Sequence, residues 1–276
     1  MKERALQLLK IIEADIANNR LILPSLPEVA VRVRQMVNNP NCSIPTLEQQ
    51  IIKDAAMTAR LLKVANSSAM SRGTTVRSLH QAILNLGFGL VGSLVTQMAI
   101  LQTMSKSRDV GRLEGFVASS LRVSSLCHSI ASQFPHLDAE LASLGGLLHD
   151  IGKLPLREFL YKNPEFTVDE RLQFELILHP YVGAILLKHW QMGSELVEMA
   201  FFHERVMRKS PGELPDYVDV VIAANLMHYG VEQGRYHKYG DDPIPALQKC
   251  IRQDRLELLE GTIEQRMEMA LALIEN

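Results

Sequence analysis

The apolar residues of this chain recur at intervals of three and four positions, which is the spacing of amphipathic helices. The first twenty residues, MKERALQLLKIIEADIANNR, keep this spacing with charges between the apolar positions. They predict a helix and not a cleaved leader, because a leader carries an uninterrupted apolar stretch. No segment alternates apolar and polar residues strictly enough to predict a strand. The pattern therefore predicts an all-α protein.

Proline, glycine and short polar residues divide the rest of the chain into further helices. Pro27 precedes the second helix, and Thr46 is expected as the N-cap of the third. Asp138 is expected to cap a later helix, and Gly152 to end that helix in a left-handed conformation. Further helices are predicted at residues 47–53, 57–65, 115–134, 138–149, 169–179, 182–190, 194–206, 215–229, 246–259 and 262–274.

Residues 78–105 carry no formal charge and are long enough to cross a bilayer. They nevertheless contain His80, Gln81 and Asn85, and the glycines at 87 and 89 are expected to break the segment into two helices. A pair of buried core helices is the better interpretation. The protein is therefore expected to be cytoplasmic and to have no membrane partner.

Composition narrows the class of function. The chain has 276 residues, of which 47% are hydrophobic, enough for a substantial core. Its formal net charge of −2 lacks the basic footprint of a nucleic-acid-binding protein. Cys42, Cys127 and Cys250 show no CxxC spacing, which predicts a reducing compartment and neither a disulfide framework nor a zinc ribbon.

Residues 145–153 read GGLLHDIGK and place His149 beside Asp150 at the end of an apolar helix. Such a pair can supply two ligands to a metal that activates water. The structural alternative is that His149 bonds a free carbonyl of the helix end while Asp150 pairs with Lys153. The choice between the two depends on the rest of the ligand set.

Further motifs occur in order along the chain: LPSLP at 23–27, ARLLKVANS at 59–67, GLLHDIGK at 146–153 and HPYVGA at 179–184. With them the chain resembles the HDOD family, the HD-related output domains of bacterial signalling proteins, over about residues 20–230. That family is a degenerate relative of the HD and HD-GYP metal-dependent phosphohydrolases. The resemblance implies an N-terminal helical bundle packed on an HD-like helical bundle.

The expected domain organisation combines this resemblance with the helix pattern. Residues 1–20 form an N-terminal amphipathic helix, and residues 21–110 form the N-terminal helical subdomain. Residues 111–230 form the HD-like subdomain, and residues 231–276 form a C-terminal helical extension beyond the recognisable pattern. The polar stretch 105–109 is expected to be the linker between the two subdomains.

The resemblance also implies which metal-binding residues remain. His149 and Asp150 match the HD pair, and His179 matches the histidine of the HP segment that follows. His203 is the remaining histidine of an HHE segment. These four are the residual metal candidates. If the site is catalytic, Lys153 is expected to contact a phosphate oxygen and His179 to take part in the reaction.

Three other positions have lost the family's expected ligands. Ser119 stands where the HD-GYP pattern has its first histidine, Phe202 replaces the first histidine of HHE, and Asn225 replaces the final aspartate. Serine and asparagine oxygens are neutral and bind divalent cations weakly beside imidazole and carboxylate. No metal or other cofactor, and no catalytic residue, is therefore expected.

The loss of ligands favours a non-catalytic signalling module that acts through contacts with other signalling proteins. An alternative is a divergent HD-type phosphohydrolase for a nucleotide or cyclic dinucleotide, using Mn, Fe or Mg. A third hypothesis is a sensor that binds a nucleotide without hydrolysing it. The sequence leaves the enzyme question open, and it identifies neither the partner nor the oligomeric state.

Overall fold

The structure is a computed structural model that describes residues 2–18, 21, 23, 25–67, 70, 75–105, 110–230, 234–239, 242–251, 263–264 and 268–269. Within these residues every regular element is helical, so the all-α prediction is confirmed. The helices are α1 Lys2–Ala17, α2 Glu28–Val37, α3 Ile44–Ile51, α4 Ala55–Ala65, α5 Leu79–Leu86, α6 Phe88–Ser105, α7 Val110–Ala131, α8 Ala139–Leu148, α9 Lys153–Lys162, α10 Val168–His189, α11 Ser194–Phe202, α12 Tyr217–Tyr229 and α13 Pro245–Cys250. A 3₁₀ helix at Gly234–Tyr239 precedes α13.

The chain divides into two compact units. Unit 1 comprises Met1–Ser25 and Gly145–Cys250, and unit 2 comprises Leu26–Leu144 and Ile251–Asn276. The boundaries of these compact units differ from those expected after residues 20, 110 and 230. The division into the segments 1–20, 21–110, 111–230 and 231–276 stays a prediction about domains. Residues 106–109 of the expected linker lie outside the described residues, as do most of the helices predicted at 246–259 and 262–274, of which the start of the first is α13.

Unit 1 has two apolar clusters built from its helices. In the first, Ala5, Leu8 and Ile12 of α1 pack with Leu156 of α9 and Phe174 of α10. Their spacing in α1 places them on one face, which explains why the N-terminal helix joins this unit. The second cluster joins α12, the 3₁₀ helix and α13 through Val206, Val218, Ile222, Leu226, Tyr236, Ile244 and Ala246.

Unit 2 contains α2 to α7 and the first part of α8. The break expected in the uncharged segment lies at Gly87, whose φ of 79° favours a residue without a side chain. Among the described residues, no helix alone has the length and apolar content to cross a membrane. The helices α5 and α6 have the required length and apolar content only when they are taken together, and the bend between them is 112°.

One cap in unit 2 differs from expectation. Ser43, and not Thr46, is the N-cap of α3, and its hydroxyl accepts a hydrogen bond from the Thr46 backbone N–H. The helix therefore starts earlier than predicted, because Pro45 fits its first turn, where no backbone donor is needed. Asp138 caps α8 as predicted, accepting from the backbone N–H of Glu140 and Leu141.

The helix α10 corrects a second prediction. The sequence pattern predicts two helices, 169–179 and 182–190, but the structure has one helix that continues through Pro180. Proline removes one backbone hydrogen bond, yet Leu178, Val182 and Leu186 are buried on both sides of it and hold the helix together. A capping box between Thr167 and Glu170 starts the helix. As a result His179 lies inside a helix and not at a turn.

Gly152 corrects a third prediction, because its φ of −64° is right-handed and it precedes α9 as the N-cap position. A Cβ at this position would lie 2.1 Å from the carbonyl oxygen of His179 and 2.3 Å from the backbone nitrogen of Gly183. The glycine is therefore required by the close approach of two backbones. That approach brings the start of α9, which the sequence pattern does not predict as a helix, against the middle of α10.

We expect Gly152→Ala to lower the free energy of unfolding by about 3 kcal/mol or more, because the added methyl group has no room between the two backbones. Gly115→Ala in α7 is the matched control, since a Cβ there meets nothing within 4 Å. Urea denaturation followed by circular dichroism measures both. Equal stability of the two variants would contradict the close-approach explanation.

Candidate metal centre

Four side chains of unit 1 bring ligand atoms together. They are Asp150 between α8 and α9, His179 in the middle of α10, His203 at the C-cap of α11 and Glu204 directly after it. Their ligand atoms all lie within 4.8 Å of one another. Asp150, His179 and His203 are among the metal candidates predicted from the sequence. Glu204 was not predicted as a ligand.

The distances between these atoms are those of a metal's first ligand shell. His179 Nε2 and His203 Nε2 are 3.0 Å apart. Asp150 Oδ1 lies 3.1 Å from His179 Nε2 and 3.4 Å from His203 Nε2. Glu204 Oε1 lies 3.7 Å and 3.5 Å from the same two nitrogens. Ligands about 2.0–2.1 Å from a tetrahedral ion are roughly 3.3–3.4 Å from each other, so this set matches the size of a zinc-like site.

The histidines present the correct nitrogen for a metal. His179 Nδ1 lies 2.8 Å from the Glu175 carbonyl oxygen, and His203 Nδ1 lies 2.8 Å from the Ala200 carbonyl oxygen. A carbonyl oxygen only accepts, so each Nδ1 carries the proton and donates it. The Nε2 atom of each ring is therefore left to bind a cation, as metal-binding histidines commonly do.

Burial makes it costly to leave these ligand atoms without a polar partner. His179, His203 and Asp150 are almost fully buried, whereas the Glu204 side chain is 24% exposed. Within the described part of the chain, Asp150 Oδ1 and His149 Nε2 are buried without a hydrogen bond of good geometry. Buried polar atoms without partners are rare and destabilising. A cation bound among the four ligand atoms gives Asp150 Oδ1 a partner, so the four residues fit a metal.

A proton is the competitor of the metal. Burial by itself would lower the pKa of His203, but Asp150 and Glu204 raise it to about 9. Burial lowers the pKa of the neighbouring His179. The raised pKa of His203 therefore favours a proton on its Nε2, which lies 3.0 Å from His179 Nε2. A metal must displace this proton in order to bind.

The Asp150 carboxylate carries a buried negative charge that contacts several groups of the site. Burial would raise its pKa, but the charges of His149 and Lys153 and the nearby imidazole of His179 hold that pKa well below its ordinary value. The buried Lys153 ammonium pairs with Asp150 Oδ2, and His149 Nε2 lies 3.4 Å from the same oxygen. Asp150 therefore offers Oδ1 to the cluster while Lys153 holds Oδ2.

His149 itself is outside the four-residue set. Its Nδ1 donates to the Gly146 carbonyl oxygen over 2.7 Å, which is the contact expected of a histidine at a helix end. Its ring lies edge-on to that of His203, with centroids 5.0 Å apart. His149 and Lys153 thus show the contacts of the structural alternative, and both remain beside the candidate metal ligands.

The three positions of lost ligands have separate surroundings. Ser119 lies half-buried in α7 of unit 2, and Phe202 packs on the second apolar cluster of unit 1. Asn225 is buried on α12, where its Nδ2 donates to the Tyr236 hydroxyl over 2.8 Å. That hydroxyl lies 3.4 Å from each carboxylate oxygen of Glu204.

Glu204 and Tyr236 were missed from the sequence for different reasons. Glu204 follows His203 directly, so the HHE-like segment contained a usable signal for a second donor. Tyr236 lies beyond α12 in a short 3₁₀ helix, and no motif connects it to the site.

Comparisons with known proteins agree with this arrangement of helices. Residues 23–206 match the family model for the HDOD domain. No curated protein sequence matches the chain. A solved structure from Shewanella amazonensis SB2B, described as a candidate metal-dependent phosphohydrolase, is 25% identical with a TM-score of 0.72, covering 96% of this chain and 99% of its own.

Two further solved structures have the same fold. An HDOD domain protein of unknown function from Geobacter sulfurreducens is 20% identical with a TM-score of 0.70, and the match covers 100% of both chains. A candidate signal transduction protein from Marinobacter aquaeolei VT8 is 22% identical with a TM-score of 0.65. That match covers 94% of this chain and 61% of the other.

We expect Lys153→Met to lower the free energy of unfolding by about 3 kcal/mol, because it leaves the buried Asp150 carboxylate without its ammonium partner. Lys162→Met, on the same helix, removes an exposed pair with Glu158 and should change stability by less than about 0.5 kcal/mol. Thermal and urea denaturation of the metal-free proteins provide the comparison. A Lys153→Met variant as stable as Lys162→Met would show that the buried pair contributes little.

Proposed function

This chain belongs to the HDOD family. We propose that it is a signalling module that acts through protein contacts and that its own side chains hold one transition-metal ion. The observation that carries the proposal is the group of four ligand atoms from Asp150, His179, His203 and Glu204. The ion would stabilise the part of unit 1 where α8, α9, α10 and α11 meet. Its role is then structural.

The donor types indicate which ions suit the site. Two imidazole nitrogens and two carboxylate oxygens favour Zn²⁺, Fe²⁺ or Mn²⁺ over Mg²⁺, which prefers an all-oxygen shell with several waters. A bound ion supplies Lewis acidity and a fixed positive charge. The two carboxylates balance its charge, and the Nδ1 hydrogen bonds of His179 and His203 hold the rings in the binding orientation.

The same geometry disfavours catalysis. A catalytic metal usually keeps about three protein ligands and an open position for water, whereas four protein donors are assembled here. Lys153 occupies the second oxygen of Asp150, and so removes it as a bridge to a further ion. Ser119 and Asn225 offer only neutral oxygens at the other family positions. These features support a closed site.

The second candidate function is a metal-dependent phosphohydrolase. The specific observation that favours it is the partial exposure of Glu204, which leaves one edge of the site open to solvent. Lys153 and His149, which both contact Asp150 Oδ2, would then be the residues that orient a phosphate group. A nucleotide sensor without turnover would use the same open edge.

Metal content and hydrolysis separate these functions. We expect the purified chain to bind one Zn²⁺ with an affinity that His203→Ala lowers at least about 100-fold, whereas His189→Ala on the surface leaves it unchanged. Calorimetric titration and elemental analysis measure this binding.

We expect no Mn²⁺-dependent cleavage of bis-p-nitrophenyl phosphate or of cyclic dinucleotides.

Turnover that disappears in His203→Ala would replace the signalling proposal with the phosphohydrolase. Stabilisation by a cyclic dinucleotide or guanosine tetraphosphate in a thermal-shift experiment, without turnover, would favour the sensor. A chain that binds no Zn²⁺ would refute the structural metal.

A further inference from the structure

Glu204 is connected to α12 by a short relay of hydrogen bonds. We propose that Tyr236 is a positioning residue that orients the Glu204 carboxylate as the fourth metal ligand, in place of a carboxylate at position 225. The inference rests on the metal site proposed above. The juxtaposition that carries it is Asn225, Tyr236 and Glu204 in one line of contacts.

Packing restricts the position of the Tyr236 ring. It is only 2% exposed, and its ring packs among Ile222, Leu226 and Ile244 in the second apolar cluster. A ring held by such packing has little rotational freedom. The hydroxyl therefore has a defined position relative to α12 and to the residues after α11.

The direction of the hydrogen bonds determines what the hydroxyl does. Asn225 Nδ2 donates to the phenol oxygen, which leaves the phenol proton for the Glu204 carboxylate. An aspartate at position 225 would accept that proton itself, because a carboxylate has no N–H to donate. The neutral amide at this family position thus lets Tyr236 act on Glu204.

The contact between the Tyr236 hydroxyl and the Glu204 carboxylate is long, so it orients the carboxylate more than it adds binding energy. The phenol oxygen is 3.4 Å from both Oε1 and Oε2 of Glu204, so it lies evenly across the carboxylate. These distances are long for an O–H···O bond. Glu204 is also the most exposed of the four ligands, and therefore the one whose orientation depends most on a neighbouring group.

Tyr236 lies outside the part of the chain that matches the HDOD domain. The match to the HDOD domain ends at residue 206, whereas Tyr236 lies in the 3₁₀ helix at Gly234–Tyr239. The segment after the matched region therefore supplies a residue to the site as well as apolar contacts to α12. Asn225 Oδ1, which is buried without a hydrogen bond within the described residues, lies at the other end of the same relay.

The test is the Zn²⁺ affinity of Tyr236→Phe, measured by competition with a chelator. Outer partners of metal ligands typically contribute 10–100-fold to affinity, and we expect a loss of about that size. The metal-free variant should unfold at a somewhat lower temperature than the wild type, because the ring keeps its packing but the buried Asn225 Nδ2 loses its acceptor. The affinity is therefore measured well below that temperature, where both proteins are folded. Tyr239→Phe, the same substitution in the same 3₁₀ helix, should leave the affinity unchanged.

A double-mutant cycle shows whether Tyr236 acts through Glu204. In a Glu204→Ala background, Tyr236→Phe should cause no further loss of Zn²⁺ affinity. An unchanged affinity of Tyr236→Phe, or an equal loss with and without Glu204, would overturn the positioning role while leaving the metal site intact. A wild-type chain without Zn²⁺ affinity would instead overturn the metal site, and the positioning role with it.

Discussion

The candidate site depends on the close approach of two backbones at Gly152. The start of α9 lies so near to α10 that a methyl group at this residue would overlap the His179 carbonyl oxygen and the Gly183 nitrogen. This approach holds Asp150, two residues earlier, with Oδ1 3.1 Å from His179 Nε2. Because α11 ends beside α10, His203 and Glu204 complete the group. The ligand set is a consequence of helix packing.

Burial then decides what these side chains can do. Two imidazoles and two carboxylates packed within 4.8 Å need a positive charge among them. The raised pKa of His203, caused by Asp150 and Glu204, reflects this need. Lys153 supplies part of that charge through Asp150. The arrangement brings together the donor types of a metal site, although Ser119, Phe202 and Asn225 replace three of the family's expected ligands.

Much of the fold could be predicted from local patterns, and the site only in part. Helical spacing predicted the all-α class, and the glycine at 87 predicted the break between α5 and α6. The rule that proline ends helices failed at Pro180, since burial on both sides outweighs one lost hydrogen bond. His179 and His203 were identifiable from motifs. Tyr236 was not, because its contact with Glu204 is made by folding and leaves no spacing in the sequence.

A metal held by these four protein side chains alone can be located by anomalous diffraction from a crystal of the chain grown with Zn²⁺. The proposed site predicts one anomalous peak about 2.0–2.2 Å from His179 Nε2, His203 Nε2 and an oxygen each of Asp150 and Glu204. A peak elsewhere, no peak, or an ion at this place with waters instead of Glu204 would contradict it.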